Sequence, residues 1–303
     1  MKFSVIIILS VIFSAFFLNV SYSQNDGAGN TGFSFLKSGV GARSLAMGEA
    51  YSSVTEDASA FFYNPARLNQ GSKTNVLIMH NASAQDLNTD FVAVKFPFGE
   101  KISMGIGFHT TGINDIEVRN IPGAALDKFD SRNLSTGVSF GYMINREISV
   151  GITGKLLYEK IYVDEASGVG FDFGTNYSKD NYSFAFVISN IGSVNALKNQ
   201  ETKLPSSVRF GGSYKFSKDK FDFNLALEGF KTLDGGTFHA HTGAEAGYKD
   251  IVFLRLGYQS SYENKSITTG IGFKYKALNV DYAFIPSKNS FGSGNVFSLG
   301  INF

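Results

Sequence analysis

The stretch Ile251–Gln259, "IVFLRLGYQ", alternates between two kinds of side chain. Successive residues of a β-strand point to opposite faces. The apolar face of this stretch consists of Val252, Leu254, Leu256 and Tyr258. The opposite face carries Arg255, Gly257 and Gln259. This period of two predicts a strand with water on one side and an apolar environment on the other.

The same period recurs along the chain, for example in Ile148–Glu159, "ISVGITGKLLYE". We expect fourteen such strands: 74–82, 90–98, 101–110, 131–142, 147–158, 168–177, 181–190, 206–216, 221–231, 238–248, 251–260, 266–275, 277–285 and 295–303. Most approach the ~9–11 residues that a tilted strand needs to cross a bilayer, and the number is even, as in bacterial barrels. The pattern predicts an all-β fold, a 14-stranded antiparallel transmembrane outer-membrane β-barrel over residues 74–303.

The connections between these strands alternate in length. The short ones are 97–101, 144–147, 178–181, 217–220, 249–250 and 276–277. The longer ones are 83–89, 111–130, 159–167, 191–205, 232–237, 261–265 and 286–294. This asymmetry is typical of outer-membrane barrels, whose short turns are periplasmic, and it would make both termini periplasmic and the long loops extracellular. The alternative is a secreted soluble β-sandwich or β-solenoid, which gives no reason for the alternation.

The N-terminus resembles an export signal. Lys2 precedes the apolar run Phe3–Leu18, and the small residues Ser21 and Ser23 suit a cleavage site. We expect residues 1–23 to be a cleaved signal peptide and the mature chain to begin near Gln24. The alternative is a single membrane anchor, because the apolar run is almost long enough to span a bilayer.

The composition excludes several functional classes. The 303 residues contain no Cys, and 27 Lys and Arg balance 26 Asp and Glu, so there is no basic surface for nucleic acid. His239 and His241 share a face and could form a metal pair, but no acidic residue stands at matching spacing. His80 and His109 have no Ser-His constellation around them. We expect no enzyme activity, no metal and no cofactor.

Several charges fall on the polar face of the predicted strands: Lys155, Asp172, Arg209, Glu228, Glu245, Arg255, Lys274 and Asp281. Buried charges need partners. We expect them to solvate the lumen and to pair with residues of the preceding segment, namely Arg43, Glu49, Glu56 or Asp57. The alternative is a polar conduction path.

Residues 33–72 lack the strand period and contain the apolar cluster of "DASAFFYNPARL", residues 57–68. Asn64 before Pro65 can cap a short helix, and Asp57 can cap another. Irregular backbone at membrane depth is tolerated where protein shields it from lipid. We therefore predict that residues 24–73 form a hatch, or plug, in the barrel lumen.

The stretch Gly39–Leu68, "GVGARSLAMGEAYSSVTEDASAFFYNPARL", resembles the N-terminal signature of the PorV/PorQ proteins, a branch of the FadL-like outer-membrane barrels. The matching residues are Gly41, Ala42, Arg43, Met47, Gly48, Asp57, Ala58, Ser59, Ala60, Asn64, Pro65, Ala66 and Leu68. Arg67 departs from the signature, which has Gly there, so the left-handed turn that Gly permits is in doubt. The resemblance implies a fourteen-strand barrel with an N-terminal hatch.

Two functions follow as expectations. The resemblance implies a role in type IX protein secretion, in which the barrel binds or shuttles the C-terminal signal domains of exported cargo to the cell-surface attachment machinery. Its partners would be the lipid bilayer, translocon or attachment subunits, and cargo. The exposed apolar residues Ile121, Pro122 and Leu126 are the candidate partner loop. The alternative is a FadL-type transporter of long-chain fatty acids or other hydrophobic ligands.

Overall fold

The fourteen predicted strands are present and close into one antiparallel barrel. The computed structural model describes residues 29–71, 73–83, 87–123, 125–197, 202–288 and 292–303. Each strand pairs with its neighbours in sequence, and the first pairs with the last. The strands are β1 Asn75–Ala82, β2 Asn88–Phe98, β3 Ile102–Val118, β4 Asp127–Met143, β5 Ile148–Ile161, β6 Asp164–Lys179, β7 Tyr182–Val194, β8 Ser207–Lys218, β9 Phe221–Thr232, β10 Phe238–Tyr248, β11 Val252–Gln259, β12 Ile267–Tyr275, β13 Leu278–Pro286 and β14 Ser293–Asn302.

The wall has the two faces that the alternation predicts. In β11, Leu254 is 60% and Leu256 is 56% exposed on the outside, whereas Arg255, between them, is 6% exposed and points into the lumen. Outward apolar side chains without protein contacts are stable only against an apolar medium. This surface is the lipid-facing side of a membrane barrel.

Strands β3 to β6 are longer than the alternation predicts. β3 continues to Val118 rather than residue 110, and β4 begins at Asp127 rather than residue 131. The predicted loop 111–130 is therefore mostly strand, and the predicted loop 159–167 contracts to Tyr162 and Val163. The expectation of a longer loop at every second connection is wrong for β5–β6, because the two strands pair with each other up to the turn.

The short turns use residues that tolerate a left-handed backbone. Lys249 and Asp250, between β10 and β11, both have positive φ. Two successive positive φ values are typical of the tight hairpin turns whose twist matches the flanking strands. Asp180, Asp219 and Lys276 provide single positive-φ residues in other short turns.

The residues before the barrel form four short helical elements. They are a first 3-10 turn at Ser34–Lys37, helix α1 at Ala42–Ala46, helix α2 at Ala60–Tyr63 and a second 3-10 turn at Pro65–Asn69. Residues 29–71 are called here the N-terminal segment. The predicted signal peptide, residues 1–23, lies outside the described residues.

Among the described residues, no helix has the length and hydropathy needed to cross a membrane.

Candidate functional site

The N-terminal segment contacts opposite sides of the barrel wall. Helix α1 packs against β11 to β14, and the second 3-10 turn packs against β2 to β6. At one end, the Gly32 amide donates to the carbonyl of Lys203 in the β7–β8 connection, at a distance of 3.1 Å. At the other end, the Lys95 ammonium, close to the β2–β3 turn, donates to the carbonyl of Gln70. The segment therefore extends from the mouth with the long connections to the mouth with the short turns.

Arg43 anchors helix α1 to the wall. Its guanidinium donates two hydrogen bonds to the Glu245 carboxylate, at 2.8 and 2.6 Å. Arg255 also donates to Glu245, at 2.6 Å, and to Asp281, at 2.7 Å. Burial alone would lower the pKa of Arg43, but the Glu245 carboxylate outweighs it and holds the pKa well above its ordinary value. Two cations and two anions thus neutralise one another where the segment meets β10, β11 and β13.

A second set of charged side chains contacts the backbone of the segment just after Gly48. Arg209 donates to Glu228 at 2.7 Å and lies 3.8 Å from the Glu49 carboxylate. Glu228 also accepts from the backbone amides of Tyr51, at 3.2 Å, and Ser52, at 2.8 Å. Burial would raise the pKa of Glu49, but the charges of Lys265 and Arg209 prevail and lower it. A carboxylate on the wall therefore fixes the backbone of the segment.

The predicted lumen charges divide into three groups. Arg209, Glu228 and Glu245 contact the N-terminal segment directly, and Arg255 and Asp281 extend the Glu245 contact. Lys155 and Asp172 instead pair with each other at 2.7 Å within the wall, and Lys274 pairs with Asp250 at 2.5 Å at a short turn. Of the expected partners in the segment, Arg43, Glu49 and Glu56 form ion pairs with the wall.

The predicted caps behave differently from each other. Asn64 caps the second 3-10 turn, since its side chain accepts from the Ala66 amide at 3.0 Å and Pro65 occupies the first helical position. Asp57 does not cap α2, because the preceding residue there is Ser59, whose side chain makes no capping bond. Asp57 instead accepts from the Ser59 amide at 2.9 Å and so shapes the turn before the helix.

Arg67, which departs from the signature, is a buried anchor. It does not have a positive φ, because it lies inside the second 3-10 turn. Its guanidinium donates to the Thr55 carbonyl at 2.7 Å, to Asn176 at 3.1 Å and to Ser183 at 2.8 Å. Burial lowers the pKa of Arg67 to about 10. Its three acceptors are neutral, and two of them lie on β6 and β7, so Arg67 links the segment to these strands.

Glycines in the wall allow the segment to approach it. A Cβ at Gly151 would overlap the backbone of Pro65 and Ala66, and one at Gly257 would overlap the backbone of Gly48. Gly48 itself has a φ of +63° and lies against the backbone of β11. Other wall glycines whose Cβ would overlap the segment are Gly107, Gly141, Gly174, Gly211, Gly243 and Gly270. The alternation of these glycines with lipid-facing residues is the sequence signal for this contact.

The remaining residues of the signature motif are buried at the same interface. The Ala42 amide donates to Ser298 at 2.8 Å, after Gly41, which has a φ of +85°. The Ala58 amide donates to Asn75 at 2.7 Å. Met47 and Leu68 are almost fully buried, and Leu68 contacts Gly105 of β3.

Sequence reasoning missed several partners of the segment. Asn75 and Ser298 accept hydrogen bonds from backbone amides of the segment. Lys215 pairs with Glu56. These neutral and single charged residues carry no pattern in sequence, so only the register of the strands reveals them.

Three of the four histidines pack against aromatic rings, and His80 lies 2.7 Å from the Asp90 carboxylate. His109 lies among Phe35, Phe62 and Phe91, with ring centroids between 5.3 and 6.1 Å away. His239 stacks on Tyr262 at 3.7 Å, and His241 lies 3.0 Å from the Tyr262 hydroxyl. In the part of the chain that the structure describes, no three metal-binding side chains come together.

A cavity of about 440 Å³, lined mostly by charged residues, opens at the short-turn mouth. Its lining combines residues of the N-terminal segment, including Arg43, Glu56 and Asp57, with wall residues such as Lys95 and Glu245. Burial would raise the pKa of Glu56, but the charges of Lys215, Arg43 and Arg67 lower it to about 2. The segment therefore presents charged groups towards this mouth.

The candidate partner loop lies at the opposite mouth. It is the β3–β4 connection, residues 119–126, in which Ile121 is 76% and Leu126 is 68% exposed. Pro122 is also exposed. Three apolar side chains in water at the tip of a hairpin form an accessible patch.

The fold is similar to those of known hydrocarbon channels. The toluene transporter TodX of P. putida has a TM-score of 0.64 and 13% sequence identity, over 88% of this chain and 99% of that chain. The CymD monoaromatic hydrocarbon channel has a TM-score of 0.62 and 13% identity, over 92% of this chain and 98% of that chain. At these identities the similarity establishes the FadL-type barrel fold. No curated protein sequence matches the chain significantly.

A family model described as "Type IX secretion system membrane protein PorP/SprF" matches residues 50–303. The expected assignment to PorV/PorQ is therefore wrong. That resemblance rested on residues 39–68, whereas the family match includes all the strands of the barrel.

Proposed function

The chain belongs to the family of type IX secretion system membrane proteins PorP/SprF, and we propose from this premise that it binds an exported protein at the outer membrane. In this proposal the barrel receives the C-terminal signal domain of the cargo and passes it to the attachment machinery at the cell surface. The family match over residues 50–303 is the observation that carries the proposal.

The N-terminal segment supports a receptor rather than a wide conduit. We propose that it plugs the lumen, because it contacts opposite sides of the wall and is fixed by Arg43, Glu49 and Arg67. A buried ion pair that loses one partner costs several kcal/mol, so the segment is expected to stay in place. Cargo would then bind outside the lumen, at the mouth with the long connections, which we place at the extracellular side.

An affinity-tagged barrel isolated from native outer membranes in mild detergent tests this proposal. Mass spectrometry of the bound proteins should identify an exported protein or a large translocon subunit in a stoichiometric amount. The control is the same purification from cells that lack secretion cargo. A barrel that is purified without any such protein would contradict the proposal.

The second candidate is transport of a hydrophobic small molecule. The similar channels TodX and CymD are described as carrying toluene and monoaromatic hydrocarbons. The lumen of this chain also contains an aromatic cluster, Phe35, Phe62 and Phe91, around His109. Lipid mass spectrometry of the same purified barrel would favour transport if it found a tightly bound apolar ligand and no protein partner.

A further inference from the structure

Residues 29–37 lie in the mouth with the long connections and are here called the strap. Phe33 is fully buried, and Phe35 and Leu36 are 6% and 5% exposed. Ser34, between the two buried rings, is exposed, so the outer side of the strap faces the open mouth. The apolar side chains of the strap pack in one cluster with residues of β5, β6, β7 and the β7–β8 connection: Leu157, Ala166, Val194, Leu197 and Leu204.

The strap is held differently from the rest of the N-terminal segment. Its hydrogen bonds to the wall and to the connections come from Asn30, Gly32 and Phe33, at 3.4, 3.1 and 3.2 Å. No described residue forms an ion pair with residues 29–38, whereas residues 39–70 form ion pairs with β8 and β10. The strap can therefore leave its site without breaking the charged anchors of the segment.

The strap does not satisfy its site completely. Phe33 has a φ of +52° and a ψ of +37°, a left-handed backbone that aromatic residues rarely adopt. The His109 ring lies 5.3 Å from the Phe35 ring, and Thr202 lies beside Gly32. Counting every described residue, the Nε2 atom of His109 and the Oγ1 atom of Thr202 are buried without a hydrogen-bond partner. Buried polar atoms without partners lower stability, so a ligand that bonds to them has an advantage over the strap.

We propose that an apolar, aromatic-containing peptide segment of the exported partner displaces the strap and binds in the site now filled by Phe33, Phe35 and Leu36. The proposal rests on the proposed function and adds the binding site and the chemistry of the segment. The strap is itself a peptide and shows what the site accepts, namely apolar side chains and two backbone amides, which donate to Glu159 and to the Lys203 carbonyl. A hydrocarbon has no such donors and would leave the buried Glu159 carboxylate without its hydrogen bond.

In this proposal the strap is an autoinhibitory contact. The strap and the partner exclude each other, so the apparent affinity for the partner is reduced by the fraction of barrels in which the strap has left its site. Residues 39–70 keep their ion pairs and stay in the lumen. Displacement of the strap thus exposes a binding site at the mouth without opening a pore.

A reversible disulfide tests the displacement, because the chain has no Cys of its own. A Cβ atom at Gly32 would lie 3.2 Å from the Cβ atom of Thr202, within a few tenths of an ångström of the ~3.5–4.5 Å that a disulfide spans. The double variant Gly32→Cys/Thr202→Cys would be oxidised on intact cells and purified through its affinity tag. The two single variants, treated in the same way, are the matched controls.

We expect the disulfide-linked barrel to carry less than about a tenth of the exported protein that the single variants carry, and a reductant to restore binding. If the linked barrel retains as much partner as the controls, the displacement is wrong and the proposed function stands. If the unmodified barrel binds no exported protein, the proposed function fails as well. Failure of the two thiols to link, measured by thiol labelling, would contradict the position of the strap and overturn the proposal.

A substitution within the strap gives a test of opposite sign. Phe35→Ala removes a buried ring and should increase the fraction of barrels with an open site. We expect about tenfold more partner to bind when the purified barrel is titrated with the co-purified exported protein below saturation. Ser34→Ala, at the exposed neighbouring position, is the control and should change binding by less than about twofold. Unchanged or weaker binding by Phe35→Ala would show that the ring does not block the site, and would overturn the proposal.

Discussion

The strands of the wall are held by a repeated backbone ladder, whereas the N-terminal segment is held by individual side chains. Every strand pairs with two neighbours, so an outward residue can change without loss of the ladder. The segment has no ladder of its own and depends on contacts such as Arg43–Glu245 and Arg67–Thr55. We therefore expect the stability of the barrel to tolerate substitutions on its outer surface and to be sensitive to single substitutions in its lumen.

The largest effect is expected from glycine substitutions in β5, which contains a matched pair. Gly151→Ala would force a methyl group into the backbone of Pro65 and Ala66, and backbone cannot move aside as a flexible side chain can. We expect a loss of about 3 kcal/mol in the free energy of unfolding. At Gly154, a methyl group would meet only the Phe171 ring, at 3.7 Å. Gly154→Ala should therefore change the free energy of unfolding by less than about 0.5 kcal/mol. Urea unfolding in detergent, followed by circular dichroism, measures both. Equal values would show that the segment does not press on the wall.

An intermediate effect is expected when helix α1 loses its charge contact. Arg43→Ala removes two hydrogen bonds to Glu245, which keeps Arg255 as a partner. The expected cost is about 2 kcal/mol, since hydrogen bonds to charged groups are stronger than neutral ones. Limited proteolysis should show faster cleavage of the segment while the barrel stays intact. Arg132→Ala, on the exposed outer surface, serves as the control and should leave the cleavage rate unchanged.

The smallest effect concerns pH. The pKa of Glu56 is lowered to about 2 from an ordinary value of 4.5, so its ion pair with Lys215 stabilises the folded state fully above about pH 4.5. This contribution should disappear as the pH falls towards 2. Both side chains are about two-fifths exposed, and water screens them, so we expect only about 0.5 kcal/mol. Thermal unfolding at several pH values between 3 and 7 would record a shallower decline for Glu56→Gln than for the natural chain.

The sequence predicts the membrane part of the fold well and the part outside it poorly. The alternation of β11, with Leu254 and Leu256 outside and Arg255 inside, appears unchanged in the structure. The prediction ended β3 at residue 110 because the bulge at 113–116 breaks the period and because the apolar face changes side above it. A prediction that looks for apolar residues on the outward face therefore ends the strand where the apolar residues change to the inward face.

Contacts between the N-terminal segment and the wall could be predicted from sequence only at charged residues and at glycines. Arg43, Glu49 and Glu56 are charged residues in an otherwise apolar segment, and ion pairs for them could be expected. Which wall residue each one binds depends on strand register, and a shift of one residue would turn every partner to the lipid side. Arg67 put a left-handed turn at its position in doubt, and the neutral acceptors that surround its side chain could not be inferred from sequence.

The path of the N-terminal segment from one mouth to the other has a consequence for the order of assembly. The ring closes when Asn75 pairs with Asn302, and the partners of Arg43 lie on β10, β11 and β13, late in the chain. The segment precedes the barrel in the chain, whereas the partners of Arg43 come late in it. In the proposed plug arrangement the ring would close around the segment, and contacts between such distant parts of a chain make folding slow. A substitution such as Arg43→Ala should thus alter the rate at which the barrel matures as well as its final stability.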